Sequence, residues 1–363
     1  MKSNDITVTK SFLPPLGEYQ RYIEEIWDRG WLTNHGPLVG DLEDRLRALL
    51  AIDHVLYVAN GTLALQIAIN ALDLQGEIIT TPFSYVATMS SIIWEGCTPV
   101  MVDIDEDTLT LDPARIEEAL TENTSGILAT HVYGVPCDIE GISRVAARHG
   151  LKIIFDAAHA FGTLYDGRSI FQYGDISTAS FHATKVFHTV EGGAICTRSA
   201  AIAQRAALLR NFGHTSANEF ALAGINAKNS EFHAAMGLCN LPYVDQNVSL
   251  RCSVVARYDR NLKGTPLRRP TISDRSTWNY AYYPVVFDSA EALGRVVATL
   301  NAHSVYPRRY FFPSLATLPF VERRIETPIS DDIAQRVLCL PLYSSLAPEQ
   351  VDRICDLVRR ALV

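Results

Sequence analysis

At 363 residues, 48% of them apolar and 20% charged, the chain exceeds one small core and fits about two domains of a globular protein. A formal charge of −8, with basic residues scattered rather than clustered, argues against a nucleic-acid surface. The opening "MKSNDITVTKSFLPP" lacks a signal-peptide core, no run approaches the ~20 apolar residues of a membrane span, and the seven cysteines form no C-x-x-C pair. A soluble cytoplasmic protein without disulfides, metal site or membrane contact is therefore expected.

From about Asp41 to Thr197, short apolar β-runs alternate with helical periodicity. "HVLYVAN" predicts a strand, and "GTLALQIAINAL" a helix with Leu65, Ile69 and Leu72 on one face. "GEIITTP" is a strand, "YVATMSSIIWEG" a helix and "TPVMVDI" the next strand. "PARIEEALTEN" is a helix opened by proline, "GILATHVYG" a strand, and "DIEGISRVAARHG" a helix closed by glycine. "LKIIFDAAHA" is a strand ending in polar residues, and "DISTASF" and "AICTR" extend the sheet. Such alternation specifies an α/β fold with a mostly parallel sheet covered on both faces. From about Asn226 a long helical stretch, interrupted near Pro242, is suited to join two domains. A strand "YAYYPVVF", a helix "SAEALGRVVATLNAHS", a strand "VYPRRYF" and a closing helix "PEQVDRICDLVRRAL" make a smaller α+β domain.

Ligands of open α/β sheets collect at the carboxyl ends of the strands, and three groups fall there. Gly61 and Thr62, opening a helix after "HVLYVAN", offer backbone N–H groups, a hydroxyl and the positive dipole end, which can cradle a phosphate. Asp156 ends "KIIF", where an unpaired carboxylate is costly and demands a cation or several hydrogen bonds. Lys185, a short loop beyond "STASF", becomes a nucleophilic amine if its pocket is partly dry. Each alone has an everyday explanation: an N-cap, a salt bridge, a surface charge. Together they supply what pyridoxal phosphate (PLP) requires, namely a phosphate site, a carboxylate for the pyridine nitrogen and a lysine for the aldehyde. No G-x-G-x-x-G follows the first strand, which disfavours a nicotinamide-dependent dehydrogenase.

In the order and spacing of "WLTNHGPLVGDLEDRL", "NGTLAL", "TPFSYVAT", "GCTPVMVDIDEDTLTLD", "HVYGVPCDIEGI", "DAAHAFGTLYDG", "GDISTASFHATKVFHTVEGGAICT" and "LCLPLYSSLAPEQ", the chain resembles the DegT/StrS-type sugar-nucleotide aminotransferases. The resemblance implies the PLP-dependent transferase fold of the aspartate-aminotransferase type. Residues 1–40 would be an N-terminal segment with an active-site loop, 41–240 the large PLP-binding domain and 241–363 the small domain. It implies Lys185 as the catalytic lysine that bonds the cofactor aldehyde and then moves protons, and Asp156 as the partner of the pyridine nitrogen. Gly61, Thr62 and Ser180 would hold the phosphate. Tyr85 matches the aromatic residue that stacks on the cofactor ring, and His159 the residue that bonds its hydroxyl, where many relatives carry Gln.

The same resemblance implies a homodimer with shared sites, Asn226 reaching in from the second subunit, although "GINAK" departs from the usual G-Y-N-x-R. Thr33 in "WLTNHG", His182, Glu191, and Arg308, Arg309 and Tyr310 in "VYPRRYFFP" match regions that meet the sugar nucleotide, arginine suiting a diphosphate. The implied reaction moves an amine from L-glutamate to a nucleotide-linked 4-keto-6-deoxyhexose in ping-pong order. The likeness is nearest to enzymes that aminate dTDP-4-keto-6-deoxy-D-glucose, a step toward a bacterial surface polysaccharide or a glycosylated metabolite. A 3-keto sugar, or a UDP- or GDP-linked one, is an alternative. A non-catalytic regulator on the same fold is another, against which intact Lys185, Asp156 and Ser180 stand. Relatives that act as dehydratases carry histidine in place of the lysine, which this chain keeps.

Overall fold

The computed structural model describes residues 5–321 and 325–362; the ends of the expected first and last segments, 1–4 and 363, and residues 322–324 lie outside the described residues. Seven strands make the central sheet: β1 (His54–Val58), β2 (Glu77–Thr80), β3 (Thr98–Met101), β4 (Thr124–Thr130), β5 (Lys152–Asp156), β6 (Ile176–Ser180) and β7 (Gly193–Thr197). Their order is β1-β7-β6-β5-β4-β2-β3. Only β7 runs against its neighbours, and every other pairing is parallel. The expected α/β architecture with a mostly parallel sheet is what the chain forms.

Alternation along the strands explains why both faces are covered. Val55, Tyr57, Ile153 and Phe155 enter one core, and Leu56, Val58 and Ile154 enter the core on the opposite face. Each such fully buried side chain contributes about 2 kcal/mol. The first face is covered by α1 (Leu16–Arg29) and α2 (Pro37–Leu50), which supply Ile26, Leu38 and Leu42. On the second face lies α3 (Gly61–Ala71), whose residues Ala64 to Ile69 are all buried. Next come α4 (Val86–Trp94), α5 (Ile139–His149), α6 (Ala200–Arg210) and α7 (Glu231–Asn240). A 3₁₀ turn at Leu241–Tyr243, the expected interruption at Pro242, leads into α8 (Val244–Asn261). This helix spans the two cores: Val244 packs with the large sheet, and Val254, Val255 and Tyr258 pack in the smaller one.

The smaller core contains the antiparallel pair β8 (Tyr283–Val286) and β9 (Val337–Leu340), with α9 (Ala290–Ala302), α10 (Pro328–Arg336) and α11 (Pro348–Leu362) completing the chain. Two expected elements shrink. "PARIEEALTEN" yields a 3₁₀ turn at Pro113–Arg115 and one helical turn at Ile116–Ala119, because Ile116 alone is buried and Leu120 turns extended. "VYPRRYF" pairs as a strand only at Val305–Tyr306, since Pro307 cannot donate to a ladder; Arg308 then bridges to Cys339.

Two buried carboxylates cap helices that lack a side-chain cap of their own. Glu231, fully buried, accepts the Leu38 and Val39 N–H groups at 2.9 Å each and so completes the start of α2. Asp103 accepts from Ser330 N–H and Ile329 N–H at 2.8 Å and from the Ser330 hydroxyl at 2.6 Å, anchoring α10 beside the end of β3. No helix among the described residues is long and apolar enough to cross a membrane.

Candidate active site

Thr130, Asp156 and Ser180 are the last residues of the adjacent strands β4, β5 and β6, and the register sets Thr130 beside Asp156 and Asp156 beside Thr178. Their ends form one wall of a cavity of about 270 Å³. The start of α3 forms another. Asn60 caps that helix by accepting Leu63 N–H at 2.9 Å, and Gly61 and Thr62 line the cavity beside Ser180. A Cβ on Gly61 would lie 2.9 Å from the Ser180 Cβ, so glycine is what lets the helix begin against the end of β6. First-turn N–H groups have no acceptor within their helix, which leaves a donor set for an anion.

Lys185 enters from the loop between β6 and β7, its N–H bonded to His182 C=O at 2.9 Å. Burial pushes its ammonium down to about 8, against the pull of Asp156 and Tyr85, so free amine is present near neutral pH. Asp156 is only 7% exposed. Burial pushes its carboxyl up, opposed by the Ala158 N–H on Oδ1 at 3.0 Å, the Lys185 charge and the Thr88 hydroxyl on Oδ2 at 3.4 Å.

His159 follows β5. Its Nδ1 accepts Tyr133 N–H at 3.2 Å, and its ring stacks on Phe311 with centroids 5.5 Å apart. Burial, and then the Lys185 charge, hold it well below the usual histidine range. A neutral imidazole whose Nδ1 accepts carries its proton on Nε2, so the residue is a donor at that atom. Tyr85, half-exposed, ends the loop into α4 and lines the cavity with Tyr310 and Arg308, whose guanidinium lies 4.8 Å from the Tyr310 ring centre. His182 and Glu191 also line it and approach each other at 3.7 Å.

Three expected residues lie elsewhere. Arg309 is turned away: its guanidinium donates to the Ala334 and Gln335 carbonyls at 3.1 Å and covers the Phe312 ring, because alternate residues of an extended segment point to opposite sides. Thr33 sits in an exposed loop away from this cavity, its carbonyl bonded by the Trp31 indole at 2.6 Å. Asn226 is exposed and accepts from Lys228 Nζ at 2.8 Å, again outside the cavity. Conversely, Ser84, Thr130, Tyr282 and Phe311 line the cavity without having been singled out. Ser84 adjoins Tyr85 in "TPFSYVAT" and Tyr282 lies in "YAYYPVVF", so both stood beside a visible signal.

The residues present fit PLP: a glycine-dependent gap with spare N–H donors suits a phosphate, a buried carboxylate suits a ring nitrogen, and a lysine depressed to about 8 suits an aldehyde. The chain is 38% identical to a dTDP-4-amino-4,6-dideoxy-D-glucose transaminase of Escherichia coli over 99% of both chains. It is 39% identical to the protein of that name from Shigella dysenteriae, over 98% of both. Among solved structures it superposes on DesI, crystallised in the presence of its TDP-sugar product, with a TM-score of 0.94 at 34% identity, covering 99% of this chain and 94% of that one. Residues 17–359, nearly its whole length, match one family, and the chain belongs to it: the DegT/DnrJ/EryC1/StrS aminotransferases, which depend on PLP.

Proposed function

We propose that the protein transfers the amine of L-glutamate to dTDP-4-keto-6-deoxy-D-glucose, giving the 4-amino-4,6-dideoxy sugar, and that it works as a cytoplasmic homodimer. The observation that carries this reading is the end-to-end likeness, at 38% and 39% identity, to two transaminases bearing that product's name. All seven cysteines stand unpaired, which suits a reducing compartment. Bound PLP would supply an electron sink for the carbon that carries the amine. Gly61, Thr62 and Ser180 would hold its phosphate, and Tyr85 would cover its ring. Asp156 would keep the ring nitrogen protonated. His159 would offer an Nε2–H donor where a Gln amide offers N–H, so the departure at this position preserves the bond.

Lys185 Nζ, partly unprotonated near neutral pH, would take a proton from the donor's α-carbon and return one to the sugar carbon that receives the amine. Arg308 is the cation at the cavity suited to the diphosphate. Asn226 stands on an exposed face away from its own chain's cavity, which supports a role in the site of a second copy.

The test is a visible spectrum of the PLP-loaded protein. L-Glutamate should bleach the cofactor band, and after the excess is removed, dTDP-4-keto-6-deoxy-D-glucose should restore it. Restoration only by a 3-keto isomer or by a GDP- or UDP-linked sugar would move the substrate assignment. A band that never responds to an amino donor would overturn the reaction itself.

A further inference from the structure

Three buried hydroxyls run from the cavity wall, which Ser84 and Thr130 line, to Asp156. Thr88 Oγ1 lies 3.4 Å from Asp156 Oδ2, Ser84 Oγ lies 2.8 Å from Thr88 Oγ1, and Thr130 Oγ1 lies 3.0 Å from Ser84 Oγ. Ser84, Thr88 and Thr130 are each at most 2% exposed, so bulk water does not compete for these bonds. Thr130 ends β4, Ser84 lies in the loop that carries Tyr85, and Thr88 is in the first turn of α4.

The direction of the chain follows from counting protons. An ionised carboxylate only accepts, and each hydroxyl has one hydrogen to give. Thr88 spends its hydrogen on Asp156, so the bond between Ser84 and Thr88 is donated by Ser84. Ser84 is then committed, and Thr130 must donate to it. All three O–H dipoles therefore point toward Asp156, and hydrogen bonds in series polarise one another. Burial works against this carboxylate's charge, and only the Ala158 N–H and Lys185 otherwise favour it.

We propose that Thr130, Ser84 and Thr88 form a one-way hydrogen-bond chain that keeps Asp156 ionised and fixes its orientation, making them positioning residues for the partner of the cofactor's ring nitrogen. Because Tyr85 lies between Ser84 and Thr88 in sequence, one short segment carries both the aromatic residue that would cover the cofactor ring and two hydroxyls of this chain. The inference rests on the reading of Asp156 given above.

The experiment compares binding of PLP and of 1-deazapyridoxal phosphate, which has carbon in place of the ring nitrogen, to the apoprotein by fluorescence quenching. Wild type should prefer PLP; equal binding of the two by wild type would refute the role of Asp156 itself. Thr88→Val, which keeps the shape and removes the hydroxyl, should weaken PLP binding by about tenfold, the effect of losing a hydrogen bond to a charged group. Binding of the deaza compound should stay nearly constant, and Thr88→Ser should restore PLP affinity. Ser84→Ala, one bond further back, should give a smaller loss of the same kind and serves if the valine variant does not fold. Equal losses for both compounds, or no loss for either, would overturn the chain's role while leaving that of Asp156 intact.

Discussion

Replacing Lys185 by methionine should abolish transamination and yet stabilise the apoprotein. The ammonium is pushed from 10.5 to about 8, chiefly by burial. That change corresponds to about 3 kcal/mol of destabilisation when the group is charged, trimmed to about 2 kcal/mol because the half-buried side chain keeps some solvent contact. Since the folded value lies below the unfolded one, the unfolded chain binds the extra proton between about 8 and 10.5, and stability from this group rises with pH across that window. Below about 8 the full penalty is present. Urea unfolding of apo wild type and Lys185→Met at pH 7 should therefore show the variant more stable by about 2 kcal/mol. By pH 10 most of that gap should have closed. A gap that is absent at pH 7, or that keeps its size at pH 10, would refute the argument that burial depresses this lysine.

Gly61→Ala places a methyl 2.9 Å from the Ser180 Cβ and should push the start of α3 away from β6. PLP affinity should fall by about tenfold, while pyridoxal without its phosphate binds nearly as before; isothermal titration of the apoprotein checks both. The neighbouring arginines should separate cleanly. Arg308→Gln should raise KM for the sugar nucleotide several-fold, whereas Arg309→Gln should leave KM unchanged and lower stability by about 1–2 kcal/mol through the lost bonds to Ala334 and Gln335. Steady-state kinetics with a urea melt of each variant decides this.

Lys185, Asp156 and Gly61 could be found from the sequence because strand periodicity is strong in "KIIF" and "STASF", and position relative to a strand's end is a linear property. Which side of an extended segment faces the cavity is not linear information once a proline breaks the ladder. Arg308 and Arg309 therefore looked equivalent, although only one lines the site. The hydroxyls of Ser84, Thr88 and Thr130 give no pattern at all, since small polar residues in apolar elements are common and their meeting depends on the neighbouring ends of β2, β4 and β5. Helices α1 and α2 carry local signals that an alternation counted only from Asp41 leaves out: Gly30 closes α1, Pro37 opens α2, and Leu38, Leu42 and Leu46 recur at helical spacing. What no local pattern shows is that the first-turn donors of α2 meet Glu231, which accepts from Leu38 and Val39.

That long-range cap bears on how the protein is made. When α2 leaves the ribosome, the carboxylate that completes it is still about 190 residues from being synthesised. At roughly 5–20 residues per second, the helix start must wait some 10–40 seconds for its acceptor. Asp103 and α10 have the opposite order: the acceptor is built 226 residues before the helix that needs it, which can dock as it emerges. The nascent N-terminal region is thus the stretch that would gain most from a chaperone, and α10 the element that can close onto a surface already prepared.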